Sequence, residues 1–174
     1  VLRPRRFEDS RGWFCETWNA AKVLAAGVTV DFCQDNQSLS RTAGTLRGLH
    51  FQAPPHAQAK LVRCTRGRIF DVAVDVRRAS PTFGEWVATE LSAENGKQLF
   101  IPAGFAHGFL TLEPDCEISY KVDAYYSAAA DTGIIWNDPD IGIDWPTNST
   151  SPILSDRDMS LGSLADFAVD FPYD

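Results

Sequence analysis

The sequence predicts an all-β protein, a sandwich or barrel of many short strands. Two observations carry this expectation. Short runs rich in Val, Ile, Phe and Thr recur along most of the chain, separated by Gly, Pro and Asp. Helical periodicity shows convincingly only once, near the N-terminus. A chain of 174 residues is one domain's worth, so residues 1–174 are expected to share a single core.

The elements follow in order. Trp13–Thr17 reads as the first strand. Asn19 then offers a capping side chain, Ala20–Ala26 supplies helix formers, and Gly27 supplies the stop. Val30–Ser38 and Thr45–Gln52 are the next strands. Lys60–Thr65 and Arg68–Val76 flank Gly67, which reads as a hairpin turn between two paired strands. From Phe70 to Val76 the apolar side chains alternate, so one face of that strand is expected to be buried. Glu85–Leu91, Gln98–Ile101, His107–Leu112, Glu117–Val122 and Gly133–Trp136 complete the set. After Pro146 the chain turns to Ser, Thr, Pro and Asp, and is expected to wrap the surface as turns and short helical pieces. A β-barrel of this size places its ligand inside the mouth.

Composition narrows the function. A hydrophobic content of 44% excludes disorder. A net charge of −7 speaks against coating nucleic acid, although basic groups converging in one cleft can still hold an anion. No apolar run approaches the ~18 residues a membrane-spanning helix needs. The segment Val1–Arg6 has no apolar core and is not a secretory signal, and it does not open on Met. Cys15, Cys33, Cys64 and Cys116 are widely spaced with no C-x-x-C pair, which reads as free thiols in a cytoplasmic protein.

Three histidines can be weighed singly. His50 lies in Leu46-Arg47-Gly48-Leu49-His50-Phe51-Gln52, with Lys60 downstream. A histidine on an apolar strand is commonly a satisfied core residue. Cations beside it speak for a bound anion instead, because desolvating an unpaired cation costs several kcal/mol. Strict alternation points Arg47 away from His50. Gly48 between them predicts a bulge that brings both to one side. His107 follows the Pro102–Gly104 turn and reads equally as a turn cap or a site group, whereas His56 sits in a Pro-rich loop and is expected to be exposed. Tyr120 falls mid-strand, where core packing is the default and proton donation the functional alternative. Asp158 reads as a helix cap, or as the carboxylate that orients His50.

Gly44-x5-His50-x-Gln52 and Pro102-x-Gly104-x-x-His107 resemble the two motifs of the cupin jelly-roll barrels. Metal-binding cupins draw several His and a Glu from these stretches. Here Gln52 takes the place of one imidazole, and two imidazoles with a carboxamide make a poor metal site. The expectation is a cupin-type jelly-roll barrel with no metal and no cofactor.

Longer segments give a sharper resemblance. They are Phe7-x-Asp9-x-Arg11-Gly12-x-Phe14-x-Glu16, Gln34-Asp35-Asn36-x-Ser38, Leu46–Gln52, Lys60–Arg63, Asp71–Arg77, Ser80–Gly84, Ile101–Phe109 and Trp136–Pro139. In this order they resemble the dTDP-4-dehydrorhamnose 3,5-epimerases across nearly the whole chain. The resemblance implies an epimerase acting on a dTDP-4-keto-6-deoxyhexose. It implies His50 as general base, Asp158 as its partner and Tyr120 as general acid. It places Arg47, Lys60, His107 and Tyr126 around the nucleotide sugar, with Tyr126 stacking on thymine, and in such a reaction Lys60 is expected to stabilise the enolate charge as well. Arg11, Glu16, Gln34 and Asn36 match residues lent to a neighbouring subunit, which implies a homodimer with exchanged N-terminal strands. Asp131 and Arg157, also counted among the ligand-binding positions, depart from the family's usual Glu and Lys. The sequence leaves open a mono-epimerase inverting C3 or C5 only, a 3,4-ketoisomerase, a metal-dependent cupin enzyme and a sugar-binding cupin without turnover.

Overall fold

The computed structural model describes residues 1–147 and 149–172. Eleven strands and two short helices make up the described chain. A hairpin, β1 (Arg6–Asp9) and β2 (Gly12–Cys15), leads into α1 (Ala20–Ala25). The strands β3 (Gln34–Ser40), β4 (Leu46–Gln52), β5 (Lys60–Arg66), β6 (Arg68–Asp75) and β7 (Trp86–Ser92) follow. Then come β8 (Gln98–Ile101), β9 (Phe105–Thr111), β10 (Cys116–Val122) and β11 (Asp131–Gly133), with α2 (Asp156–Met159) in the tail. Two antiparallel sheets form the body, one in the order β3-β10-β5-β8 and the other in the order β11-β4-β9-β6-β7. This is the all-β, jelly-roll arrangement that the strand pattern and motifs predict.

The sheets face each other across a core built by alternation. Val62, Leu99 and Ile118 from the four-stranded sheet meet Ile69, Ala73, Leu91 and Phe109 from the five-stranded one. The opposite face of the five-stranded sheet is also buried. There Leu46, Leu49, Phe51, Val72, Val74 and Leu110 pack under Trp145, Leu164, Phe167 and Phe171 of the tail. Phe51 meets Phe167 and Phe171 edge-on, at ring centroid distances of 5.3 and 5.7 Å. The single buried face expected for β6 is therefore corrected to two. The tail does more than wrap the surface, because its few large apolar residues close a second core.

One strand is added and several boundaries move. A strand over Arg6–Asp9 is hidden in the sequence by its charge, yet it pairs with β2 and sets Phe7 opposite Phe14. Residues 30–33 precede β3, and of these Cys33 bonds the Val122 carbonyl at 2.9 Å. The last strand is Asp131–Gly133, because Ile135 turns away to bond Gly162 instead.

Gly67 does not make a hairpin between paired strands. β5 pairs with β10 and β8, and β6 pairs with β7 and β9. Gly67, at φ +75°, turns the chain from one sheet into the other, and a Cβ there would stand 2.6 Å from the Cys116 sulfur. The bulge expected at Gly48 is present. β4 pairs with β9 as Arg47↔Phe109 and then His50↔His107, a shift of one residue. Gly48 adopts φ +140°, and a Cβ would lie 2.5 Å from the Gly108 Cα.

Gly48→Ala is therefore expected to destabilise the fold by about 3 kcal/mol, since it combines backbone strain with a clash against backbone. Urea denaturation of the variant checks this, and a midpoint equal to wild type would refute the close approach.

Candidate active site

Alternation and the Gly48 bulge together decide what faces the space between the sheets. On the five-stranded sheet, Arg47, His50, His107 and Asp131 line a cavity of about 600 Å³. Lys60 and Tyr120 line it from the four-stranded sheet, and Arg157 and Asp158 come from the tail. The tail reaches the mouth because Ile153 forms a parallel bridge to Thr45, with Ile153 N–H donating to Gly44 O at 2.8 Å and Leu46 N–H to Ile153 O at 2.9 Å.

α2 then sets Asp158 against His50. Ser155 caps this single turn, accepting from the Asp158 N–H at 3.1 Å and donating its hydroxyl to Asp158 Oδ2 at 2.8 Å. The other carboxylate oxygen meets His50 Nε2 at 2.5 Å. Burial pushes the Asp158 carboxyl up, but the His50 and Ser155 hydrogen bonds outweigh it and hold the group below the usual carboxylate range. Both readings of Asp158, cap-region residue and partner of His50, therefore describe the same side chain.

A second histidine–carboxylate pair stands beside the first. His107 is the register partner of His50, and its Nε2 lies 3.0 Å from Asp71 Oδ2. Burial pulls the His107 pKa down, against the pull of Asp71, and Lys60 and His50 depress it further. Asp71 is wholly buried, and its other oxygen, Oδ1, has no hydrogen-bond partner among the described residues. Asp71 is a further site residue beyond those the sequence points to, and its one local signal is a carboxylate on the inward-facing phase of an otherwise apolar strand.

Lys60 is the buried cation of the cavity. Its Nζ donates to the His50 carbonyl at 3.2 Å. Burial lowers its pKa to about 8, while the charges of Asp131 and Asp71 resist that fall. Tyr120 moves the other way. Burial and then Asp131 raise its pKa, with Arg47 opposing, so the phenol keeps its proton well into alkaline solution. Arg47 is tied to β3 through Ser40 Oγ and Leu39 O, both at 3.2 Å. Among the described residues it forms no ion pair, which leaves its charge for an incoming anion.

Tyr126 is exposed at the rim, and its hydroxyl donates to Asp131 Oδ2 at 3.1 Å. Arg157 Nη1 reaches the same oxygen at 2.8 Å. Gln34 and Asn36 sit beside this wall of their own chain. Gln34 Oε1 accepts from the Tyr126 N–H at 3.1 Å, and Asn36 is the register partner of Tyr120. Arg11 and Glu16 lie apart from the cavity, near the hairpin, where they pair with Asp9 and Lys22. Glu16 and Asn36 line a separate cavity of about 390 Å³. His56 is exposed, as its loop predicts.

The cupin-motif positions are all engaged within the protein. His50 and His107 each give Nε2 to a carboxylate. Gln52 donates to His56 O at 2.7 Å and accepts from Ser127 N–H at 2.7 Å, so its carboxamide fastens loops. This donor set suits proton transfer better than metal ligation.

The sequence matches the family model for dTDP-4-dehydrorhamnose 3,5-epimerase over residues 1–166. It is 56% identical over 173 residues to the dTDP-4-dehydrorhamnose 3,5-epimerase of Sinorhizobium fredii, covering 99% of this chain and 88% of that one. A crystal structure of the Bacillus anthracis enzyme with TDP and PPi bound superposes with a TM-score of 0.90 at 53% identity, covering 92% of this chain and 91% of that one. The Legionella pneumophila dTDP-6-deoxy-D-glucose-3,5-epimerase in complex with dTDP-4-keto-L-rhamnose gives a TM-score of 0.94 at 40% identity, covering 99% of this chain and 92% of that one.

The electrostatics of the cavity can be read directly. Selective 15N NMR of the lysine ammonium groups should show Lys60 titrating near pH 8. Asp71→Asn removes a negative charge that favours the protonated amine, so the midpoint should move lower. A Lys60 midpoint above 10, or an upward shift in the variant, would contradict the burial described.

Proposed function

The chain belongs to the dTDP-4-dehydrorhamnose 3,5-epimerase family, and on that footing we propose how its residues perform the reaction. The enzyme inverts C3 and C5 of dTDP-4-dehydro-6-deoxy-D-glucose to give dTDP-4-dehydro-L-rhamnose. One observation carries the assignment of roles: His50 with its carboxylate partner lines one wall of the cavity, and Tyr120 lines it from the facing sheet.

The substrate's C4 ketone acidifies the hydrogens on C3 and C5. His50 takes one of them. Its Nε2 is held by Asp158, so the second ring nitrogen is the one free to accept a proton, and the carboxylate stabilises the imidazolium that forms. The electron pair left on carbon moves into an enolate with its charge on the C4 oxygen. Lys60, protonated below about pH 8, neutralises that charge in a dry site, where such stabilisation is worth several kcal/mol. Tyr120 returns a proton from the opposite face and inverts the centre. Two groups are required, because one group would return the proton to the side it came from. Arg47 holds the diphosphate, and that remote binding energy helps fix the ring. His107, kept neutral by burial and fixed by Asp71, is a second hydrogen-bonding group at the sugar. No metal or cofactor enters this scheme.

The N-terminal hairpin supports a homodimer. Among the described residues β1 and β2 pair only with each other, and Phe7, Trp13 and Phe14 are all more than half exposed. A two-stranded hairpin is marginal alone, and an exposed apolar cluster marks an interface. Exchange of this hairpin with a second copy would carry Arg11 and Glu16 toward the neighbour's cavity. No described helix is long and apolar enough to cross a membrane, and the four free thiols fit a cytoplasmic setting.

Incubation with dTDP-4-keto-6-deoxyglucose in heavy water tests the chemistry. Wild type should wash deuterium into C3 and C5, and a rhamnose-forming reductase added to the product should consume NADPH. His50→Ala should lose the exchange. Tyr120→Phe should lower inversion by about a hundred-fold or more while part of the exchange persists. Full exchange in His50→Ala, or normal inversion in Tyr120→Phe, would remove that residue from its role. For the assembly, light scattering should give twice the chain mass, and Trp13→Ser with Phe14→Ser should halve it. A monomeric wild type would refute the exchange.

A further inference from the structure

Between β10 and β11 the chain runs from Ala124 to Ser127 outside any strand or helix. Its backbone groups therefore lack ladder partners and must be satisfied in another way. Glutamine side chains do this. Gln58 Nε2 donates to Ala124 O at 2.7 Å, Gln52 Nε2 donates to Tyr125 O at 3.3 Å, and Gln52 Oε1 accepts from Ser127 N–H at 2.7 Å. The Tyr126 N–H between them goes to Gln34 Oε1.

Gln52 is the most constrained member of this set. It ends β4 and is only 3% exposed. Its second donor bond, to His56 O at 2.7 Å, ties it to the loop after β4 as well. Both amide hydrogens and the carbonyl oxygen are thus engaged by backbone, which leaves the carboxamide no donor for a ligand. The two peptide groups it grips flank Tyr126 on either side. Tyr126 itself is 60% exposed, so packing in the core does not fix its ring. The place of the ring is set by where its backbone is pinned, and by the hydroxyl bond to Asp131 at the other end.

We propose that Gln52 is a positioning residue for nucleotide binding: it grips the chain on both sides of Tyr126 and so presents a preformed ring to the base. An ordered ring lowers the entropy cost of binding, which raises affinity. Proton transfer at the sugar, by His50 and Tyr120, does not use this grip. The inference rests on the reading of Tyr126 as the ring that stacks on thymine.

Affinity for dTDP from calorimetry, read beside kcat and KM with dTDP-4-keto-6-deoxyglucose, tests it. Tyr126→Ala should weaken dTDP binding about ten-fold or more, as loss of a stacking ring does. Gln52→Met keeps the length and removes the polar atoms. It should weaken dTDP binding about ten-fold and raise KM, with kcat within about two-fold of wild type. Placed in the Tyr126→Ala chain, Gln52→Met should cost no more than about two-fold further, since the ring it positions is gone. Gln58→Met loses one bond at Ala124 from a half-buried site, and reads the same clamp where the buried change impairs folding. It should weaken dTDP binding about three-fold, and only while Tyr126 is present. Losses that multiply in the double variants, or a fall in kcat with dTDP affinity unchanged, would overturn the proposal and leave the stacking reading in place. Unchanged affinity in Tyr126→Ala would refute the stacking reading and the proposal with it.

Discussion

The hydrogen bond between His50 and Asp158 joins residues 108 positions apart in the chain, and the site depends on it. One partner sits on a central strand and the other on a single turn in the tail. An imidazole without that carboxylate has no fixed tautomer and nothing to balance the charge it acquires on taking a proton. The contact exists because several apolar tail residues, Trp145, Leu164, Phe167 and Phe171, close a core over the five-stranded sheet. Packing that would otherwise serve stability alone also delivers the Asp158 carboxylate to the cavity.

Burial does the second part of the work. The same desolvation lowers the Lys60 and His107 pKa values and raises that of Tyr120. It leaves an ammonium that is a strong hydrogen-bond donor below about pH 8, a neutral imidazole, and a phenol that retains its proton. Asp71 and Asp131 keep this from going too far. Each carboxylate raises the Lys60 pKa against the loss of water. Their own charges are occupied, Asp71 by His107 and Asp131 by Arg157 and Tyr126. A cavity of this kind can stabilise an enolate without a metal ion, provided that a base and an acid stand on opposite walls.

Much of this was legible in the residues. The alternation of Phe70–Val76, the cap at Asn19 and the bulge at Gly48 follow from local stereochemistry, which acts over a few residues and is therefore written in the sequence. Asn19 accepts from Lys22 N–H at 3.1 Å, and Gly48 brings Arg47 and His50 to one cavity. Gly67 shows the limit of such reasoning. A glycine between two strands fits a hairpin or a corner between sheets equally well, and the choice depends on which partners β5 and β6 find elsewhere. The charged Arg6–Asp9 segment carries no local strand signal, because its pairing, rather than its composition, makes it a strand.

By itself, the sequence determined the all-β class, the positions of most strands, the family, and which side chains could act as base, acid and anion holders. Those properties are carried by residue types and short spacings. Only the tertiary structure decided that His50 and Tyr120 share a cavity from facing sheets, that Asp71 completes a second histidine pair, and that the tail returns to bring Asp158 and Arg157 to the mouth. Such meetings are fixed by which sheet each strand joins and by burial of apolar surface across the whole chain, and no local pattern encodes either.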